Sequence, residues 1–137
     1  MLLSYTDSVG KREFLQDIIL NTIVPHEWKG IELRGEDAQE AKVIWMDIKG
    51  DGSLGRLLER VRGYYDKNIL KKLREKEEEK MSEKDVINDK SSFINKTLSN
   101  LIIYQPMDSQ EFVVVCRSLP QIFRENRDVV LMVVDGL

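Results

Sequence analysis

Three short apolar runs with little alternation constrain the fold of this chain most strongly. They are KVIWMDI at 42–48, LIIYQP at 101–106 and DVVLMVVD at 128–135. A strand with one solvent-exposed face alternates apolar and polar residues, whereas a strand of a parallel sheet that is covered on both faces is apolar throughout. The runs therefore predict interior strands of a parallel sheet, and MLLS at 1–4 is a candidate fourth strand.

Segments typical of amphipathic helices lie between these runs. Apolar residues recur at helical spacing in the segments 10–23, 53–65 and 107–119. In the last of them Asp108 and Glu111 predict a capping box, and Pro120 is expected to kink or end the helix. Strands that alternate with helices predict βαβ units, and therefore an α/β domain.

A charged segment interrupts this order between Asp66 and Lys90. It holds eight basic and eight acidic residues, whose charges cancel, and it has few apolar residues that could form a core. We interpret the stretch at about 66–92 as a charged helical or flexible insertion on the surface of a single domain that spans 1–137. The alternative is that this segment docks another molecule.

Composition and the rare residue types exclude several classes of protein. The net charge of −3 gives no general electrostatic reason to bind nucleic acid or an acidic membrane. Cys116 is the only cysteine, which excludes an internal disulfide, and His26 is the only histidine, so no metal site is expected. The first residues, MLLSYTDS, are too short and too polar for a signal peptide. We expect a soluble intracellular protein that has no membrane partner.

The stretch SVGKRE at 8–13 carries half of a phosphate-binding loop. Gly10 and Lys11 occupy the positions of the second glycine and the lysine of that motif, and a predicted helix follows them. Tyr5 replaces the first glycine, and Arg12 replaces the hydroxyl residue that binds magnesium. Gly10 and Lys11 are thus the candidate cofactor-binding residues of a degenerate nucleotide loop, and the alternative is an ordinary turn before a helix.

Two of the apolar runs end on a carboxylate. LMVVD ends at Asp135, and VIWMD ends at Asp47. In phosphate-loop enzymes an apolar strand that ends in aspartate holds the magnesium shell. The alternative for Asp135 is structural, since the carboxylate can cap the turn that follows the strand.

Taken in order, these motifs resemble the RecA superfamily, in particular the eukaryotic recombinase paralogues that act as mediators in homologous recombination. VGKREFLQDIILNTIVP resembles the phosphate loop and first helix, and AKVIWMDIKGDGSLGRLLERVRGYY resembles the second strand and its helix. The stretch 101–137 resembles the third strand, a helix and the Walker B strand. The resemblance implies a partial RecA-like α/β fold, a P-loop NTPase-type three-layer parallel sheet that is truncated after the Walker B strand.

Departures from the motifs of this family argue against catalysis. ATPases of the superfamily place a catalytic glutamate just past the second strand, where this sequence has Asp47-Ile48-Lys49. A charged lysine cannot act as the carboxylate that orients the attacking water. Because Tyr5 and Arg12 also depart from the loop, no catalytic residue, metal or cofactor is expected. Binding of ATP without turnover stays open.

The resemblance implies a non-enzymatic interaction protein. It implies a nuclear heterodimer with another RecA-like recombinase paralogue, which remodels or stabilises the recombinase filament on single-stranded DNA. Members of the family place a later strand between the Walker A and Walker B strands, so an exposed sheet edge beside Val129–Val134 is expected here. Either the fold rearranges to cover this edge or, as we expect, a partner covers it. The residues expected to contact the partner and complete the fold are Leu131, Met132, Val133, Val134 and Asp135. The alternatives are a small P-loop ATPase and an unrelated acidic α/β adaptor protein.

Overall fold

A parallel sheet forms the centre of the structure, a computed structural model that describes residues 2–5, 11–34, 41–48, 53–76 and 82–135. The strands are β1 (Leu2–Tyr5), β2 (Glu27–Trp28), β3 (Ile31–Glu32), β4 (Lys42–Asp47), β5 (Leu101–Tyr104) and β6 (Val129–Asp135). The helices are α1 (Lys11–Ile23), α2 (Ser53–Tyr64), α3 (Lys71–Lys76), α4 (Glu83–Leu98) and α5 (Ser109–Glu125). A π-helical segment, Tyr65–Leu70, joins α2 to α3.

The main sheet has four strands in the order β1-β6-β4-β5, and every neighbouring pair is parallel. The predicted α/β class and the predicted strands are therefore confirmed, although β5 lies at an edge of the sheet. β2 and β3 form a separate antiparallel hairpin. Its turn has positive φ at Lys29 (49°) and Gly30 (79°), as the favoured two-residue hairpin turns require.

β6 lies inside the sheet, which corrects one expectation from the sequence. Val133 is in register with Leu3 of β1 on one side and with Trp45 of β4 on the other. β1 pairs with β6 from Met132 to Asp135, so the exposed edge predicted there is wrong. The physical reason is that β1 itself occupies the position beside the carboxyl half of β6.

One face of the sheet carries the hydrophobic core. Val43, Trp45, Leu131 and Val133 belong to the core and are at most 4% exposed. Helices on this face contribute side chains that are equally buried: Leu15, Ile19, Ile23, Leu57, Val61, Tyr65, Ile69 and Phe93. Full burial of an apolar side chain of this size contributes about 1.5–3 kcal/mol, so this layer is the main source of stability.

The charged segment is helical wherever the structure describes it. Ile69 and Leu73 are buried in the core, and α4 begins with Ser82 as its N-cap. The Ser82 hydroxyl accepts a hydrogen bond from the Asp85 amide at 3.1 Å. The apolar residues Ile69 and Leu73 therefore continue the preceding helix into the core, as the sequence allows, whereas the status of the segment as an insertion stays a prediction.

A variant of the predicted capping box starts α5, in which Glu111 binds the amide of Met107, one residue before the N-cap. The Asp108 carboxylate accepts a hydrogen bond from the Glu111 amide at 2.8 Å, and the Glu111 carboxylate accepts one from the Met107 amide at 2.5 Å. Pro120 does not end the helix, which continues to Glu125. A capping box satisfies amide groups that have no partner within the helix, so it fixes where α5 begins.

Replacement of Asp108 by alanine is expected to lower the free energy of unfolding by about 1 kcal/mol, because the cap of α5 is lost. Urea denaturation followed by circular dichroism measures the change. Asp108→Ser is the matched control, since serine also caps helices, and it should retain most of the stability. Equal losses in the two variants would contradict the capping role.

The opposite face of the sheet carries only α5 among the described helices. A right-handed crossover from β5 to β6 places α5 on the face away from the core. The side chains of Tyr104, Val114 and Val115 line one hollow there, which agrees with this placement. Ile44 and Met46 are fully buried, whereas α5, which the structure describes in full, has no buried residue.

Candidate functional site

Two carboxylates meet at the carboxyl edge of the sheet. Asp47 ends β4 and Asp135 ends β6, and the two residues are in register. They are 1% and 3% exposed, respectively. The Ile48 amide donates a hydrogen bond to the Asp135 carbonyl oxygen at 2.9 Å, which ties the segment after β4 to β6. In open α/β sheets this edge is where ligands bind.

A shallow cavity of about 320 Å³ lies at the same edge. β4 leads into α2 on the core face, whereas β5 leads into α5 on the opposite face, so the cavity lies at a topological switch point of the sheet. Gln105 follows β5 and donates a hydrogen bond from Nε2 to Asp47 Oδ2 at 3.3 Å. The cavity is lined by Ile48, Pro106, Met107, Asp108, Ser109 and Phe112.

The side chains at this edge are mainly apolar or already hydrogen-bonded. Most of the lining is apolar, and the Asp108 and Glu111 carboxylates are committed to capping α5. In the part of the chain that the structure describes, no three His, Cys, Asp or Glu side chains group together in a way that could hold a metal ion. Nor is any described helix long and apolar enough to cross a membrane.

The predicted nucleotide-loop residues are only partly described. Lys11 is the first residue of α1, whereas Gly10 and Lys49 lie outside the described residues. Tyr5 is in register with Asp135, because β1 and β6 are adjacent. The fold therefore brings the strand that precedes the degenerate loop next to the strand that ends in aspartate.

The residues predicted to contact a partner lie mostly in the interior. Leu131, Val133, Val134 and Asp135 are between 0% and 7% exposed, and Met132 is half-buried. Their predicted role in completing the fold is compatible with this burial. Their predicted contact with a partner stays a prediction, and it does not take place through an open edge at Met132–Asp135.

A second cluster of polar and aromatic residues lies away from this edge, around the Asp89 carboxylate. Asp89 is 6% exposed and belongs to α4. Its Oδ2 atom accepts hydrogen bonds from the Tyr65 hydroxyl at 2.5 Å and from Trp28 Nε1 at 3.3 Å. Lys29 Nζ lies 2.9 Å from the Oδ1 atom. The cluster thus links the β2–β3 hairpin, the π-helical segment and α4.

The electrostatics of the Asp89 cluster favour one charged carboxylate surrounded by donors. Burial acts to raise the pKa of Asp89, but hydrogen bonds from Tyr65, Lys29 and Trp28 outweigh it and hold that pKa below its ordinary value. Burial raises the pKa of the Tyr65 hydroxyl, and its hydrogen bond to Asp89 raises that pKa further. Tyr65 therefore stays a protonated donor at neutral pH. The cluster stabilises the packing of the β2–β3 hairpin and the π-helical segment against α4.

No known protein family matches this chain, and no curated protein matches it in sequence.

Proposed function

We propose that this chain is a non-catalytic subunit of RecA-like fold that pairs with another recombinase paralogue. The pair would remodel or stabilise the recombinase filament on single-stranded DNA during homologous recombination in the nucleus. The observation that carries the proposal is the unequal cover of the parallel sheet. One face is packed by a full layer of buried side chains, and the other carries α5, which has no buried residue.

Exposed apolar side chains on and beside α5 favour a protein partner. Several apolar side chains on and beside α5 are exposed: Met107 at 87%, Val113 at 44%, Val114 at 63% and Phe123 at 40%. Such side chains gain about 25 cal/mol for each Å² of apolar surface that a partner removes from water. Exposed apolar surface that is rimmed by polar residues is typical of protein contact sites.

The order of the strands also bears on how pairing takes place. Since β1 and β6 are directly paired, a partner need not supply a strand beside Met132–Asp135. Within the proposal, Leu131, Val133 and Asp135 stabilise the sheet from inside, and the partner covers the α5 face. A charged residue at Val133 would disrupt the core, because this side chain is 0% exposed, so such a variant does not separate pairing from folding.

The proposed subunit is non-catalytic because Tyr5, Arg12 and Lys49 stand where a P-loop ATPase has a glycine, a hydroxyl residue and a catalytic glutamate. We expect no magnesium-dependent ATP turnover by the purified chain or by its complex with a catalytically inactive paralogue. We also expect pairing to be equal for the wild-type chain and for Lys11→Ala, with or without ATP. Turnover that Lys11→Ala abolishes would overturn the proposal in favour of a P-loop ATPase.

Pairing itself is tested by co-expression with each of a panel of eukaryotic recombinase paralogues. We expect a stable one-to-one complex with one paralogue, with a mass in light scattering equal to the sum of the two chains. Purified complex should then slow the dissociation of recombinase from fluorescent single-stranded DNA. Failure of every paralogue to form a complex, with this chain folded and in excess, would contradict the proposal.

A further inference from the structure

One side of α5 presents an apolar stripe that the described chain leaves partly uncovered. We call this the α5 flank, and it consists of Val113, Cys116, Pro120 and Phe123. These residues recur at intervals of three, four and three, so they lie on one side of the helix. Val113 is 44% exposed and Phe123 is 40% exposed, while Pro120 is exposed and Cys116 is half-buried. The spacing is that of residues through which one helix packs along another.

Two arginines border the α5 flank along its length. Arg117 and Arg124 are seven residues apart, which places them on the same side of α5 beside the flank. Both are exposed, and neither forms an ion pair with any residue in the described part of the chain. We call this pair the basic rim.

The acidic residues of α5 lie on its other side and have local partners. Glu125 accepts a hydrogen bond from Gln121 Nε2 at 2.9 Å, and Glu111 belongs to the capping box. The basic rim therefore keeps its positive charge next to the apolar stripe. The α5 flank is therefore an apolar surface with positive charge along one of its two sides only.

We propose that the α5 flank binds an amphipathic helix of a partner protein that carries acidic residues beside its own apolar stripe. The apolar spacing fits helix-on-helix packing, and the basic rim complements carboxylates on the partner. A second copy of this chain fits less well, because a two-fold contact would present the same basic rim twice. The inference rests on the proposed function only in that both require a protein partner, and it names the chemistry by which that partner is recognised.

A synthetic peptide tests the inference without any paralogue. The probe is a fluorescent helical peptide with leucines at alternating three- and four-residue intervals and glutamates seven residues apart along one side. We expect saturable binding in fluorescence anisotropy, and slower alkylation of Cys116 by N-ethylmaleimide when the peptide is present. The double variant Arg117→Glu with Arg124→Glu should weaken binding at least about tenfold and should bind a lysine version of the peptide instead.

The matched control is Arg56→Glu with Arg62→Glu, which makes the same charge change at exposed positions of α2 and should leave peptide binding unchanged. Three results would overturn the inference: equal binding of the glutamate and lysine peptides by the wild-type chain, displacement of the peptide by a single-stranded oligonucleotide, or dimerisation of the chain that blocks the peptide. If the peptide does not bind but a paralogue still pairs with the chain, only the assignment of an acidic amphipathic helix to the α5 flank is contradicted. If the peptide binds but no paralogue forms a complex with the chain, only the proposed function is contradicted.

Discussion

Replacement of Phe93 by alanine is expected to lower the free energy of unfolding by about 3–5 kcal/mol, because it removes a large buried side chain. Phe93 is 0% exposed. Its ring meets Trp28 edge-on at 5.4 Å, Tyr65 at 5.6 Å and Tyr64 in a stacked pair at 6.1 Å. Truncation removes these contacts and leaves a cavity between α4, the β2–β3 hairpin and the π-helical segment.

Urea denaturation measured by tryptophan fluorescence gives this value directly, because Trp28 is one of the affected contacts. Ile87→Ala is the control on the same helix. Its side chain is 63% exposed, so the change should stay within about 0.5 kcal/mol. A loss below about 1 kcal/mol for Phe93→Ala would show that α4 does not pack on the core as described.

Removal of the Asp89 carboxylate is expected to have the next largest effect. Asp89→Ala leaves the buried Tyr65 hydroxyl and Trp28 Nε1 without their acceptor. A loss of about 2–4 kcal/mol is expected, since each stranded donor costs about 1–3 kcal/mol. Asp66→Ala is the matched control. It removes the ion pair with Lys90 from a side chain that is 51% exposed, and it should cost at most about 1 kcal/mol.

The contribution of Asp89 is also expected to depend on pH. Its pKa in the folded chain is lowered from an ordinary value of 3.8, so the stability that it contributes is present above that value and is lost as the pH falls through the folded pKa. Asp89→Asn should therefore be less stable than the wild type near neutral pH, and the difference should shrink in acid. If the difference in free energy of unfolding between the two proteins stayed constant as the pH fell below the folded pKa, the charge on Asp89 would not stabilise the fold.

Much of the sheet could be predicted from the sequence because its strands have a strong local signature. The runs at 42–48, 101–106 and 128–135 are apolar without alternation, and each contains a strand of the parallel sheet. Their lateral order could not be predicted, because the pairing of β1 with β6 joins residues from opposite ends of the chain. The hairpin of β2 and β3 was missed because strands of two residues are too short to show a period.

The candidate site could likewise be predicted from the sequence only in part. Asp47 and Asp135 could each be recognised as a carboxylate at the end of an apolar strand, but their register depends on the pairing of β4 with β6, which no local pattern records. Gln105 and the cavity depend on how the segments after β4 and β5 approach each other, which no local pattern records. Asp89 was missed because it stands in a charged stretch that is typical of a solvated surface, and only its long-range contacts mark it as buried.

Cover of the α5 face by another protein can be measured by hydrogen–deuterium exchange of the chain, alone and mixed with the recombinase paralogue that pairs with it best. We expect slower exchange of the amides in α5 when the paralogue is present, with no change in α4, which is already packed on the core. Unchanged exchange in α5, or protection confined to α4, would contradict it.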